Sequence, residues 1–206
     1  CALPICHAYS RAGVAAFTTS TGYGIAKYDN PEELSVSDRN NIGYQYTDCP
    51  LYWISVIYLN FAEAKAEMGS LTQDDLNNSI NKLQARAGLP AMTTTPDADP
   101  ANNMGVSNLI WEIRRCRRCE LIMDNWYRYW DLIRWHQLDK LDSTKYPNTM
   151  LGANVSNVPD CEEATKNGYI DASDAQIRTY EAKHYFYPIP TTQLTLNKNM
   201  KQNPGW

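Results

Sequence analysis

Four arginines packed into one short stretch, Arg114, Arg115, Arg117 and Arg118, are the densest concentration of charge in the chain. Such a cluster could hold phosphate groups. Its surroundings argue otherwise. Glu112 and Glu120 flank it, Asp124 follows, and the chain carries a net charge of −4 with a pI near 5.4, which speaks against a nucleic-acid or anionic-membrane binder. On a helix these arginines face two ways, so internal ion pairs are expected, with Glu120 and Asp131 as the first partners. Cys116 and Cys119, interleaved with the arginines, have the spacing of zinc ligands. A second such pair is absent, and His7, His136 and His184 form no ligand motif. On a helix this spacing sets both sulfurs on one face, where small buried residues are common; no metal is expected. The adjacent carboxylates Glu32-Glu33, Asp74-Asp75 and Glu162-Glu163 sit in loops or at helix starts. Glycoside hydrolysis needs two carboxyl groups about 5–10 Å apart across a cleft, which adjacency does not supply. No Gly-X-Ser-X-Gly elbow, Walker loop or His-Glu-X-X-His motif occurs. Neither catalysis nor a cofactor is expected.

These residues sit in a chain of 206 residues that is 43 % apolar, enough for one substantial core in one or two domains. The best apolar run, Leu51 to Phe61, is about half the ~20 residues that span a bilayer. Pro4, His7 and Arg11 interrupt what would be the apolar part of a signal peptide. The six cysteines could pair in about 15 ways; their uneven spacing and the ample core favour reduced, buried thiols. Fourteen Tyr and six Trp against three Phe enrich the chain in side chains that join an apolar face to a polar tip, as wet interfaces and sugar faces require.

The elements expected to position these groups are mostly helices. Residues 1–50 look irregular, with one short strand within Thr18 to Tyr28. A helix over 51–69 places Ile54, Ile57, Tyr58 and Phe61 on its inward face and ends at Gly69. A second, over 73–87, starts at a Thr72/Asp75 capping box, carries Leu76, Ile80, Leu83 and Ala87, and stops at Gly88 and Pro90. The two should form an antiparallel hairpin of the kind repeated in tetratricopeptide proteins. If Phe61 is a core residue, Phe61→Ala costs roughly 3–5 kcal/mol. Ser107 caps a long helix running to about Asn125, and a further helix covers 126–138, its Trp130 and Trp135 serving packing. Residues 142–183 read as polar and turn-rich, with one short helix at 173–183. Tyr187-Pro-Ile-Pro190 must be extended, and Thr191 or Thr192 then caps a last turn.

Six segments in order resemble the SusD/RagB family. They are Thr19-Ser-Thr-Gly-Tyr with Lys27-Tyr28, Tyr58-Leu-Asn-Phe-Ala-Glu-Ala-Lys-Ala-Glu-Met-Gly69 and Ile80-Asn-Lys-Leu-Gln-Ala-Arg-Ala-Gly-Leu-Pro90, then the Arg114–Leu121 helix, Trp130-Asp-Leu-X-Arg-Trp135 and the Tyr-Pro-Ile-Pro to Gln-Asn-Pro-Gly-Trp206 end. The chain departs from the family at Cys116-Arg-Arg-Cys119 and at Asp124-Asn125, where relatives commonly carry Glu-Gly. The resemblance implies a mainly α fold, a tetratricopeptide-like helical scaffold with long irregular loops. It implies the carboxyl-terminal part of a longer domain: residues 1–50 irregular, 51–141 helical scaffold, 142–206 loop-rich. Cys1 is then an arbitrary start and not a lipidated terminus.

By the same resemblance the protein binds glycans or other oligomeric nutrients without catalysis. It does so at the outer-membrane surface as a lipoprotein whose anchor lies outside this chain, and delivers them to a SusC-like TonB-dependent transporter. The ligand itself, a glycan or a peptide, is not specified. Two other classes compete: a helical-repeat protein-interaction module without glycan affinity, and a glycan-active enzyme. Ligand-binding residues are expected on loops held by a rigid scaffold. The first fifty residues concentrate Tyr9, Tyr23, Tyr28, Tyr44 and Tyr46 beside Asn40, Asn41 and Gln45, and Tyr44 and Tyr46 are the best candidates to stack on a sugar ring.

Overall fold

The computed structural model describes residues 21–23, 35, 37–38, 51–157, 165–173 and 176–206. The chain divides into two compact units, Pro50–Gln137 and Cys1–Cys49 with Leu138–Trp206. The described residues are mainly helical.

The first unit holds α1 (Ile54–Glu67), α2 (Gln73–Asn77), α3 (Ile80–Arg86), α4 (Asn108–Glu120) and α5 (Tyr127–Arg134). Gly69 at φ +66° ends α1 in the left-handed conformation that favours glycine. The expected capping box opens α2: Thr72 Oγ1 accepts from Asp75 N–H at 3.1 Å, and Asp75 accepts from Thr72 N–H at 2.9 Å. The expected single helix over 73–87 is two helices. Asn78 and Ser79 turn their side chains back onto the carbonyls of Asp74 and Asp75, at 3.1 and 2.6 Å, and the helix breaks there. Ser107 caps α4 as expected, accepting from Ile110 N–H, but α4 ends at Glu120 and not near Asn125. The core comprises Leu59, Ala62, Leu76, Ile80, Leu83, Met92, Ile113 and Leu121. The loop after α3 is pinned to it: Asn81 bonds both the N–H and the carbonyl of Met92, at 2.7 and 3.1 Å.

One expectation fails on α1. Its buried residues are Ser55, Leu59, Ala62 and Glu63, while Ile54, Ile57 and Phe61 are 62 %, 60 % and 43 % exposed. The helix is rotated relative to the sequence reading, so Phe61 is not a core residue. Glu63 supplies the reason. Its carboxylate accepts from Trp135 Nε1 at 2.6 Å, from Arg114 Nε at 3.2 Å and from Arg134 Nη2. A buried carboxylate needs such partners, and they lie only on the α4–α5 side. The arginine helix therefore makes internal ion pairs, as expected. Arg117 Nε donates to Asp131 at 2.7 Å and its Nη1 to Asn60 at 2.8 Å; Arg114 also reaches Glu67, and Arg115 pairs with Glu112. Asp131 is a partner, whereas Glu120 pairs with Arg86.

Asp75 is held by a lysine and by the capping box. Lys65 Nζ donates to both of its oxygens at 2.9 Å. That ammonium first, and then the Thr72 hydroxyl and N–H, lower its pKa to about 2. An unfolded aspartate titrates near ~3.9. The folded value is depressed, so the stabilisation is complete above pH ~4 and is lost as the pH falls towards 2. Asp75→Asn should therefore be less stable than the parent at pH 6, and the gap should close on acid titration followed by circular dichroism. A gap unchanged at pH 2 would refute this.

In the second unit, a small antiparallel sheet of order β1-β3-β2 comprises β1 (Leu151–Asn154), β2 (Thr165–Lys166) and β3 (Tyr169–Asp171). The sequence reading missed it. Asn167 and Gly168, at φ +54° and +79°, make the two-residue hairpin turn that Asn-Gly favours. Ala153, Val155 and Ile170 form its buried side, and Ala153 N–H donates to Thr21 O at 2.8 Å. Of the strand expected within Thr18 to Tyr28, the described residues show only a bridge at Tyr23. No helix covers the described residues from 176 to 181; a 3₁₀ turn spans Ala182–Tyr185. The final helix, α6 (Thr191–Leu196), follows Pro190 with no side-chain cap, so neither Thr191 nor Thr192 serves as one. The extended Tyr187–Pro190 segment is held by the terminus. Gln202 bonds both polar groups of the Ile189 backbone at 2.8 and 2.9 Å, Asn203 donates to Tyr187 O at 2.7 Å, and Trp206 Nε1 donates to Phe186 O at 2.9 Å.

Candidate functional site

Tyr44 and Tyr46, with Asn40, Asn41 and Gln45, lie outside the described residues. Among the described residues, the second unit contains a cleft of about 220 Å³. Its apolar lining is Pro147, Met150, Leu151 and Ile177; its polar lining includes Lys166, Asp171, Ser173 and Gln176. Pocket volumes for drug-sized ligands run to ~300–1,000 Å³, so this cleft has room for one sugar-sized group and not for an extended chain.

One carboxylate, Asp171, lines the cleft, and a second, Asp142, holds the lining residue Thr144. Asp142 accepts from the N–H and hydroxyl of Thr144 through Oδ1, at 2.9 and 2.5 Å, and from Tyr180 N–H through Oδ2 at 3.2 Å. The Thr144 hydroxyl foremost, with the Tyr180 N–H behind it, holds this carboxyl below its ordinary pKa. Ser143 bonds the backbone of Arg178 in both directions, at 2.9 Å from its N–H and 3.0 Å to its Oγ. The segments at 142–144 and 178–180 are thereby zipped together. Asp171 accepts from the N–H and hydroxyl of Ser173 at 3.0 and 2.6 Å. The Lys166 ammonium and the Gln176 side-chain amide make no hydrogen bond or ion pair among the described residues. They are donors available to hydroxyl or carbonyl oxygens. The sequence reading missed these residues: in a stretch read as turn-rich, isolated polar side chains give no signal until the sheet gathers them.

The first unit presents aromatic surface at the α4–α5 connection. Trp126 is 81 % exposed and Trp130 is 53 % exposed, so Trp130 is not a packing residue as expected, while Trp135 is buried. Trp126, in the left-handed conformation, immediately precedes α5, Trp130 lies within it, and Tyr129 meets Trp130 edge-to-face at 5.5 Å. The connection is strained: Met123, Asn125 and Trp126 all have positive φ. Asn125 adopts at φ +35° a conformation that asparagine tolerates better than most residues.

Of the six cysteines, Cys116 and Cys119 are among the described residues. Burial first, and the Glu120 carboxylate after it, push the Cys116 thiol up to about 12. Cys119 is exposed, so the two sulfurs do not share a buried face as expected. Among the described residues no cluster of His, Cys, Asp and Glu could hold a metal ion, and no helix is long and apolar enough to cross a membrane.

A model of the SusD family matches residues 4–206. Among solved structures, a SusD-like protein from Bacteroides fragilis NCTC 9343 is similar at 26 % identity and a TM-score of 0.52, over 74 % of this chain and 25 % of that one. The selenomethionine form of BT4246 is similar at 29 % identity and a TM-score of 0.55, over 76 % of this chain and 24 % of that one. A second BT4246 structure, at 23 % identity and a TM-score of 0.54, shares the fold. The chain thus spans about a quarter of the length of the structures it matches. No curated protein matches it.

Proposed function

The chain belongs to the SusD family, whose model covers it from residue 4 to residue 206, and from that premise we propose that it serves in the non-catalytic binding of glycans or other oligomeric nutrients. The family match is the observation that carries this reading. In this proposal the chain is the carboxyl-terminal part of a longer outer-membrane lipoprotein, anchored by a lipid outside residues 1–206, and it delivers its ligand to a SusC-like TonB-dependent transporter. Its aromatic surplus suits that role, since Tyr and Trp rings offer apolar faces to pyranoses while Asn, Gln and Lys bond hydroxyls.

Tyr44 and Tyr46 remain the proposed stacking residues, and the cleft with Lys166 and Gln176 is a proposed accessory subsite for one sugar unit. The test is isothermal titration of the full-length protein with a glycan panel. At least one glycan should bind saturably. Tyr44→Ala or Tyr46→Ala should then weaken it about tenfold, which is about 1.4 kcal/mol, and Lys166→Ala with Gln176→Ala should have a smaller effect. Unchanged affinity in both tyrosine variants would make those residues structural. Absence of binding across glycans and peptides alike would refute the binding role. Recovery of a β-barrel partner with the full-length protein from outer membranes checks the delivery step.

A further inference from the structure

Six arginines lie on α4 and α5, and four of them are matched by carboxylates: Arg114 by Glu63, Arg115 by Glu112, Arg117 by Asp131, and Arg134 by Glu63 and Asp131 together. Arg118 and Arg128 are not. Neither makes a hydrogen bond or an ion pair among the described residues. Both sit at the corner where α4 ends and α5 begins. Arg114, one turn before Arg118 on α4, and Arg128 both lie over the Trp135 ring, at 4.6 and 6.0 Å from its centroid, so these faces of the two helices meet. The two unmatched charges are close enough to repel. Burial first, and the Arg118 guanidinium after it, lower the pKa of Arg128, and Asp131 offsets this in part. The neighbouring carboxylates are already engaged. Asp131 accepts from Arg117 and Arg134. Asp99, whose carboxylate feels the Arg118 charge, accepts from the Trp111 indole N–H and from Ala101 N–H, each at 2.8 Å. A guanidinium does not escape by losing its proton, and a cation drawn out of water without a counterion is costly. Arg128 is half-buried and Arg118 exposed, so the pair lacks an anion and opens to solvent.

We infer that Arg118 and Arg128 form a site for a single anionic group, a sulfate ester or a carboxylate, carried by an acidic glycan. This deepens the glycan-binding reading and rests on it. Each guanidinium presents a planar fork of N–H donors that fits the oxygens of such groups two at a time. Two unmatched cations flanked by Glu112 and Glu120, in a chain of net charge −4, suit one anion. They do not make the run of positive charge that a nucleic-acid backbone or an anionic membrane requires. Trp126, 81 % exposed, immediately precedes α5, two residues before Arg128. It offers apolar ring surface at the same corner to the sugar that bears the charge.

The test titrates the full-length protein with sulfated, uronate-bearing and neutral oligosaccharides of matched length, in the parent, Arg118→Gln and Arg128→Gln. At least one acidic set should bind about tenfold or more tightly than the neutral set, and the tighter set names the anion. Each substitution should erase that preference and leave neutral glycans bound as before. Equal affinity for acidic and neutral glycans overturns the inference, and so does a preference that survives both substitutions. Inorganic sulfate, compared with chloride at equal ionic strength, gives an arm that does not depend on glycan binding. Sulfate raises the Tm of proteins in general by exclusion from their surface, so the readout is the difference: the parent should gain more than either variant. Equal gains overturn the site. A larger gain in the parent with no glycan bound at all keeps the anion site, and overturns the glycan as its source together with the glycan-binding reading. Without sulfate both variants should be at least as stable as the parent, because each removes an unmatched charge. A lower Tm in both would mean that the full-length protein already pairs these arginines internally, and also overturns the inference.

Discussion

Glu63→Ala is expected to lower the unfolding free energy by about 3–5 kcal/mol, the cost of breaking a buried ion pair from one side. The Glu63 side chain is 4 % exposed. It is the acceptor for three donors at once, the Trp135 indole N–H and the guanidinium groups of Arg114 and Arg134. Removing it leaves the buried indole N–H without an acceptor, a loss that costs more than the bond itself contributed. Arg134 retains Asp131 at 2.9 Å, and Arg114 retains only the half-exposed Glu67. Arg114 and Arg134 also each lie 4.6 Å from the Trp135 ring centroid, so the ring loses its orientation together with its partner. Urea unfolding of the parent and the variant measures the difference. Glu63→Gln separates charge from geometry: it keeps an acceptor oxygen, and should still lose more than half of the effect because two guanidinium groups face a neutral amide. A loss below about 1 kcal/mol in Glu63→Ala would reduce the cluster to a surface salt bridge.

Leu59→Ala should cost about 2–5 kcal/mol, and Phe61→Ala in the same chain no more than about 1.5 kcal/mol. Leu59 is fully buried in the first unit, whereas Phe61 is 43 % exposed. Truncating the first leaves a cavity among Ala62, Ile80, Leu83 and Ile113. Truncating the second exposes little that was covered. The comparison reads the rotation of α1 directly, because the inward face read from the sequence pattern contained Phe61 and not Leu59. A larger loss from Phe61→Ala than from Leu59→Ala in the 206-residue chain would restore that pattern and contradict the buried set.

At the carboxyl terminus two separate motifs meet. Prolines at 188 and 190 force an extended segment and remove two backbone donors. Among the described residues no strand pairs with the Ile189 backbone. The Gln202 side chain does so instead, Asn203 donates to Tyr187 O, and Trp206 closes over the 3₁₀ turn through Lys183 O and Phe186 O. Sequence reading located both motifs but not their contact, because nothing local in either one specifies the other.

What the sequence by itself determined is whatever a few neighbouring residues decide. The capping box at Thr72 and Asp75, the Ser107 cap, the glycine stop after α1 and the extended Pro-Ile-Pro run all follow from local backbone bonding and steric limits. The internal pairing of the arginines was legible as well, since their acidic flanks and the net charge left them partners within the chain. The hairpin turn at Asn167-Gly168 was equally local, but β1 lies well before it in the chain and only tertiary pairing makes the sheet. Tertiary structure alone decided which side of α1 turns inward. Both sides are apolar, so periodicity cannot rank them. The choice falls to Glu63, whose partners Arg114, Arg134 and Trp135 lie 51, 71 and 72 residues further along the chain; a buried carboxylate tolerates only the orientation in which those donors converge, and the apolar stripe of Ile54, Ile57 and Phe61 is left outside.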